Sequence, residues 1–273
     1  MARDFLGYGG KYPGVRWPNG AHLAVCLALV LEEGTEAGEA WRESADEYGT
    51  RAGWWRISRT VDSFGVPLTV SACARALEES PWLGAAAHRR GYQLECRGYD
   101  ATPLDRLDED GERGVIEQSL RVVERLAGTK PAGWRTPTGA SGRTRRLVAQ
   151  AGFAYDGDAC NDDAPYLVAV DGRAHLVVPS ADDTSDHRFA DGSAFVRGRD
   201  FADYCVDAFE QLWGEGSDAP RMLPIEVRAR VIGRPARIGG LASLLLHMKD
   251  KGKVWFATRE QVARHWLQSA PLP

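Results

Sequence analysis

Charged residues stand two apart where several apolar runs of this sequence end. Glu95 and Arg97 share the run 92–97, and Glu226, Arg228 and Arg230 share 222–231. Side chains two apart on a strand point the same way, so each set would place opposite charges on one face, which burial tolerates only as pairs. Other polar residues fall at further run ends: Glu32 and Glu33 after 22–31, Arg135 in 132–136, Asp156 and Asp158 around 153–157, Asp182 and Asp183 after 175–179, and Thr258 and Arg259 after 253–257. A guanidinium is a permanent cation with a planar fork of donors, suited to holding a carboxylate or a developing oxyanion. A carboxylate that is desolvated or crowded by other acids has its pKa raised toward neutrality, where it can move protons. Each single charge also has a plainer reading, an ion pair that only fills space. Polar groups converging at one mouth are what a small-molecule pocket needs.

The elements that must position these residues alternate along the chain. Residues 22–31 are continuously apolar and predict a fully buried strand. Strand-like runs recur at 67–73, 92–97, 132–136, 153–157, 175–179, 222–231 and 253–257. Helices fit 53–64, 80–90, 110–127, 142–151, 199–213, 237–251 and 259–268. The stretch 110–127 carries Val115, Ile116, Leu120, Val123 and Leu126 on one stripe, with Gly128 as its stop. Such alternation argues for parallel strands covered by helices, either a closed barrel or an open doubly wound sheet. Neither GxGxxG nor GxxxxGK[ST] opens a helix here, which favours the barrel. In an α/β barrel the chemistry sits where strands end, and the charges above fall there.

Composition excludes other classes. With 273 residues, 44% of them hydrophobic, the chain can build a substantial core. Lys plus Arg number 34 against 38 Asp plus Glu, so a globally basic nucleic-acid binder is excluded. No apolar run approaches the roughly 18 residues of a membrane span. The first ten residues lack a signal-peptide core, and the five cysteines are scattered without a CxxC, as buried thiols of a reducing compartment would be. Cys73 and Cys96 read as structural. The expectation is a cytoplasmic protein with a small-molecule substrate and no nucleic-acid or membrane partner.

Motifs spread in order along nearly the whole chain carry a family resemblance. They include Arg16-Trp17-Pro18-Asn19-Gly20-Ala21, Glu32-Glu33-Gly34, the stretch 47–56 from Glu47 to Arg56, Gly65-Val66-Pro67, Gly133-Trp134-Arg135-Thr136-Pro137, Asp162-Asp163-Ala164-Pro165-Tyr166, Ile232-Gly233-Arg234-Pro235 and Ala263-Arg264-His265-Trp266. Together they resemble the polysaccharide deacetylase superfamily, on the side of its metal-independent allantoinase branch. The resemblance implies an α/β fold, a distorted (β/α)7-type barrel, in one domain over 1–273 with an N-terminal arm at about 1–20. It also implies that deacetylases of the superfamily hold a divalent metal through a strand-one Asp and two strand-three histidines. Here Glu95-Cys96-Arg97-Gly98-Tyr99-Asp100-Ala101 places Arg97 and Ala101 at the histidine positions, and arginine offers no lone pair to a metal. The histidine that serves as general acid falls at Arg228. The Arg-x-Pro motif persists as Arg135-Thr136-Pro137, and the strand-one acid as Glu32 or Glu33.

Carried onto these positions, the resemblance makes Glu32, Glu33, Arg135 and Arg228 the catalytic candidates. Glu95, Arg97, Trp134, Asp158, His187, Glu226 and Arg230 are the substrate-binding candidates, with no metal and no cofactor. Any ion would need carboxylates such as Glu32, Glu33 and Asp158, which suit hard cations. His187 has the plainer reading of a surface loop residue, and Trp54 and Trp55 that of helix-interface packing. Three functions fit. The first is a metal-independent enzyme acting on a polar amide, ureide, imide or carbonyl compound by carboxylate and arginine chemistry. The second is a non-hydrolytic cyclase, dehydratase or isomerase of specialised metabolism. The third is a catalytically dead scaffold or ligand sensor. The resemblance further implies a homo-oligomer in which the N-terminal arm reaches a neighbour.

Overall fold

The strand β1 (Leu23–Leu31) is buried along its whole length, because apolar side chains cover both of its faces. Leu23, Val25, Leu27, Leu29 and Leu31 look outward into a helix-facing core with Trp54, Ile57, Val61, Leu241 and Leu245. Ala24 and Cys26 look inward, toward Tyr155, Leu176, Val178, Met222 and Ala257. Each buried leucine contributes about 1.5–3 kcal/mol relative to leaving it in water, so the outward row holds β1 at the centre of the sheet. The computed structural model describes residues 4–34, 40–180, 182–189 and 195–270; residues 1–3 of the expected N-terminal arm lie outside these.

β1 is flanked by β2 (Thr69–Ala72) and β8 (Arg221–Arg228), both parallel to it. Beyond β2 run β3 (Gln93–Cys96), β4 (Gly133–Trp134), β5 (Tyr155–Asp156) and β7 (Arg173–Val177), again parallel, and then β6 (Tyr166–Val170), antiparallel to β7. The sheet order is β6-β7-β5-β4-β3-β2-β1-β8. A lone parallel bridge from Ser185 to Glu226 brings the segment after β7 to the outer edge of β8 and draws the curled sheet toward closure. The last strand, β9 (Val254–Phe256), pairs with Leu23–Val25 of β1. Since β8 takes one whole edge of β1, β9 and β2 share the other, with β9 at its N-terminal half. This insertion carries the chain after β9 into the base of the barrel.

Helices cover the outer face: α1 (Ala40–Tyr48), α2 (Trp54–Phe64), α3 (Ala74–Glu79), α4 (Trp82–Arg89), α5 (Glu109–Ala127), α6 (Thr144–Gln150), α7 (Gly198–Glu215) and α8 (Pro235–Lys251), while α9 (Arg259–Ser269) packs Val262, Ala263 and Trp266 into the inner cluster at the base. α5 starts at Asp108, whose carboxylate accepts the Gly111 N–H at 2.8 Å, and stops at Gly128 with φ 75°. The alternation read from sequence recovers this framework and misses three pieces. α1 and α3 are too short and polar for a clear stripe, and β6 is a half-exposed edge strand. The run 222–231 ends as a strand at Arg228, where Val231 and Ile232 N–H groups turn back onto the Arg228 carbonyl.

One close approach fixes the rim. A π-helical turn, Gly49–Gly53, joins α1 to α2 and lies against the loop after β8. A Cβ on Gly53 would stand 2.0 Å from the Ala229 carbonyl oxygen, so only glycine fits. Arg56 clamps the same contact by donating to the Gly233 carbonyl and, at 2.7 Å, to the Tyr48 hydroxyl. Gly53→Ala is expected to cost roughly 1–3 kcal/mol of overpacking, read as a lower urea midpoint; an unchanged midpoint would contradict this seating.

Candidate active site

The interior face of the barrel follows strand alternation. On β3 it receives Gln93, Glu95 and the following Arg97; on β2, Thr69 and Ser71; on β8, Glu226 and Arg228; and beyond β1, Glu32. Gly133 of β4 leaves the space that the Tyr155 ring of β5 fills, since a Cβ there would meet that ring at 2.1 Å.

At the base sits Arg259, fully buried. It is the first residue of α9, which a capping box fixes: Thr258 Oγ1 accepts the Gln261 N–H at 3.2 Å, and Gln261 Oε1 accepts the Thr258 N–H at 2.8 Å. The Arg259 backbone N–H donates to Thr69 Oγ1 at 3.0 Å. Its guanidinium donates to Glu226 Oε1 at 2.7 Å and to Glu95 Oε1 at 3.4 Å. Glu95 also accepts from Ser71 Oγ at 2.8 Å and from the Tyr155 hydroxyl at 2.9 Å. Glu95 is therefore committed to the base, fully buried among these three donors and away from the mouth where a binding role was expected for it. Burial alone would hinder ionisation of Glu226, but Arg259, Arg135, Arg97 and Arg228 around it more than reverse that and hold its carboxyl far below the usual range.

Nearer the mouth, Arg97 Nε donates to Glu32 Oε1 at 2.6 Å, and Arg228 Nε lies 3.8 Å from Glu32 Oε2. Burial raises the Glu32 pKa, yet these arginines outweigh it and the carboxyl stays ionised below its ordinary pKa. Arg228 is set by Asp186, whose carboxylate accepts the Arg228 backbone N–H at 2.7 Å, the Ile232 N–H at 3.1 Å and Arg228 Nη1 at 3.3 Å. Burial lifts the Asp186 pKa to about 6 despite Arg228. Arg135 reaches Asp158 Oδ1 at 3.4 Å and Glu226 Oε1 at 3.8 Å. Asp158 also accepts the Thr136 N–H at 2.6 Å, and its pKa is raised by burial and by Asp156 nearby. Asp156 itself is tied by Arg145 at 2.8 Å and His175 at 3.0 Å, and it accepts the Asp158 N–H at 3.1 Å.

The structure brings together Glu32, Arg97, Arg135, Asp158, Glu226 and Arg228. It separates four other predicted residues. Glu33 takes the opposite face from Glu32 and lies under the π-turn, where its Oε1 would meet a Cβ on Gly49 at 2.3 Å. Trp134 alternates with Gly133 and Arg135, so it faces Phe153 in the helix-facing core instead of the interior. His187 sits half-buried on a 3₁₀ turn, 4.0 Å from the exposed Asp182, while its neighbour Asp186 is the residue that turns inward. Arg230 leaves the strand register and pairs with Asp46 of α1 at 3.4 Å. Trp54 and Trp55 do pack at helix interfaces, Trp55 stacked on Trp82 at 5.1 Å. Arg259 and Asp186 were visible only as polar residues at or beyond a strand end; nothing in the sequence signalled Tyr155.

The residues present do not fit the divalent ion expected of superfamily deacetylases. Arg97 stands at one ligand position and binds Glu32 itself, and among the described residues no three His, Cys, Asp or Glu side chains gather as a metal site. A cleft of about 470 Å³ lined by Phe153, His175 and Leu267 contains none of the predicted residues.

Comparison with known proteins agrees with this architecture. The polysaccharide deacetylase family model matches residues 46–155. A protein of Schizosaccharomyces pombe named as a polysaccharide deacetylase is 32% identical over 98% of each chain. The crystal structure of a PuuE allantoinase superposes with a TM-score of 0.96 at 36% identity, covering 100% of this chain and 99% of that one. A Pseudomonas aeruginosa PAO1 structure described as a polysaccharide deacetylase gives a TM-score of 0.95 at 36% identity, with 100% of both chains covered. The chain belongs to the polysaccharide deacetylase family, a family of hydrolases. Among the described residues, no helix is long and apolar enough to cross a membrane.

Two outcomes test the buried charges. Arg259→Met removes the cation paired with Glu95 and the nearest one to Glu226 and is expected to cost about 3–5 kcal/mol, seen as a collapse of thermal stability; a wild-type melting temperature would refute the base network. Glu33 has its pKa raised by burial to about 7, against 4.5 for the exposed group. The unfolded chain therefore ionises first as pH rises, so stability falls between pH 4.5 and 7 and the penalty is complete above 7. Glu33→Gln removes that penalty, on the order of 3 kcal/mol. It should stabilise the protein at pH 8 and hardly at pH 4.5, and equal effects at both would contradict the burial.

Proposed function

We propose that the protein hydrolyses the C–N bond of a small polar amide, ureide or cyclic imide, using arginine electrostatics and the Glu32 carboxylate in place of a metal ion. The observation that carries this is the Arg97–Glu32 pair at 2.6 Å, in which Arg97 Nη1 is buried without a partner among the described residues. An unpaired buried N–H costs free energy unless a ligand satisfies it. A substrate carbonyl oxygen is the acceptor it suits.

Glu32 accepts a proton from the attacking water as the new C–O bond forms and negative charge develops on that carbonyl oxygen; when the carbonyl re-forms, the C–N bond breaks and protonated Glu32 returns its proton to the leaving nitrogen. The arginines face the same total charge before and after, because one anion is neutralised as another forms beside it. A carboxylate held ionised by guanidiniums is a weak base in isolation; it strengthens as Arg97 and Arg228 turn their attraction to the oxyanion. Arg135, a quarter exposed at the mouth, is placed to hold a second substrate oxygen. Likeness to a PuuE allantoinase supports a ureide as the substrate class.

A second reading, a ligand-binding barrel without turnover, is favoured by the ion pair that each of these arginines makes inside the site. A panel of ureides and cyclic imides assayed for hydrolysis separates the two. On the hydrolytic reading, Glu32→Gln and Arg97→Met lower kcat by roughly 10²–10⁴-fold with the fold retained, and chelator-treated protein keeps its rate. Chelator loss restored by a divalent ion would overturn the mechanism. Binding without turnover across the panel would establish the second reading.

A further inference from the structure

Glu226 has an unusual setting for a residue expected at the substrate. Arg259 and Arg135 lie within 4 Å of it, Arg97 and Arg228 add to the field that holds it ionised, and each of the four also has a second carboxylate: Arg97 has Glu32, Arg135 has Asp158, Arg228 has Asp186 and Arg259 has Glu95. Glu226 is the anion that all four share. Arg259 Nη2 donates to its Oε1 at 2.7 Å, Arg135 Nε stands 3.8 Å from the same oxygen, and Arg97 and Arg228 act on it electrostatically. The cage is also rich in unused donors. Arg97 Nη1, Arg135 Nε and Arg259 Nε are buried with no hydrogen-bond partner among the described residues. Arg97 and Arg259 are 3% and 0% exposed, so bulk solvent does not reach them.

We propose that these four arginines form a carboxylate-binding site occupied by the protein's own Glu226, which acts as a built-in anion spacing Arg97, Arg135 and Arg228 at the mouth. Like charges this close need counter-ions between them, and beyond each arginine's own partner Glu226 is the anion common to the four. Glu226 supplies one from the strand itself and keeps the guanidiniums apart and aimed. Glu226 is thus a positioning residue. The ligand class that the emptied cage would take is a small monocarboxylate, because Glu226→Ala deletes a CH2–COO⁻ unit, the heavy atoms of acetate.

The test needs no substrate, so it stands or falls separately from the hydrolytic reading. Melting temperatures of wild type, Glu226→Ala and Glu226→Gln are compared in sodium acetate and in sodium chloride at matched ionic strength. Acetate is expected to raise the melting temperature of Glu226→Ala saturably, by roughly 5 °C over chloride. Wild type, whose cage is filled by its own carboxylate, and Glu226→Gln, whose amide blocks the space, should respond equally in the two salts. A Glu226→Ala response to acetate no larger than that of wild type overturns the proposal. Should Glu226→Ala be recovered only unfolded, its refolding yield in acetate against chloride reads the same quantity. A higher yield in acetate supports the site, and equal yields overturn it.

Discussion

Charge neutralisation inside a low-dielectric barrel is the constraint on which this structure turns. Four guanidiniums and five carboxylates converge at the C-terminal ends of the strands and below them: Arg97, Arg135, Arg228 and Arg259 with Glu32, Glu95, Glu226, Asp158 and Asp186. A lone buried ion of this kind would cost several kcal/mol. The set is tolerable because each member has a partner and Glu226 links the base to the mouth. Removing any one member changes the balance felt by the rest.

The fold supplies the positions that such a network needs. Inserting β9 beside the lower half of β1 delivers Arg259 to the base from outside the main strand order, and the Thr258 capping box fixes where its side chain enters. The segment after β7 brings Asp186 onto the end of β8, where it holds the Arg228 backbone as well as its guanidinium. Ion pairs anchored on strands and helix ends in this way are preorganised. Their charges need little rearrangement when a reaction moves charge between them.

Ion pairs stand at the positions where the family resemblance leads one to expect metal ligands and a general acid. Where superfamily deacetylases are expected to hold a metal with imidazoles, this chain has Arg97 bonded to Glu32. Where they are expected to keep a general acid, it has Arg228 bonded to Asp186. A guanidinium keeps positive charge at these positions but neither ligates nor gives up a proton at neutral pH. On the hydrolytic reading proposed above, proton transfer falls to the carboxylates: Arg97 and Arg228 hold Glu32 low against its burial, whereas burial lifts Asp186 to about 6 despite Arg228.

By itself the sequence determined the barrel and the strand ends that carry the charges. Apolar runs and glycine stops report local periodicity, and residues two apart share a face whatever lies around them. That logic placed Glu32, Arg97, Glu226 and Arg228 toward one interior. It failed for Trp134 and Glu33, whose strand ends were read without fixing which face was inward, and for Arg230, which lies past the turn that ends β8. Only the tertiary structure decided the partners. Arg259 reaches Glu95 and Glu226 across 164 and 33 residues of chain, and Asp186 reaches Arg228 across 42. Pairing between distant segments depends on how strands are ordered in space, and no local pattern encodes that order.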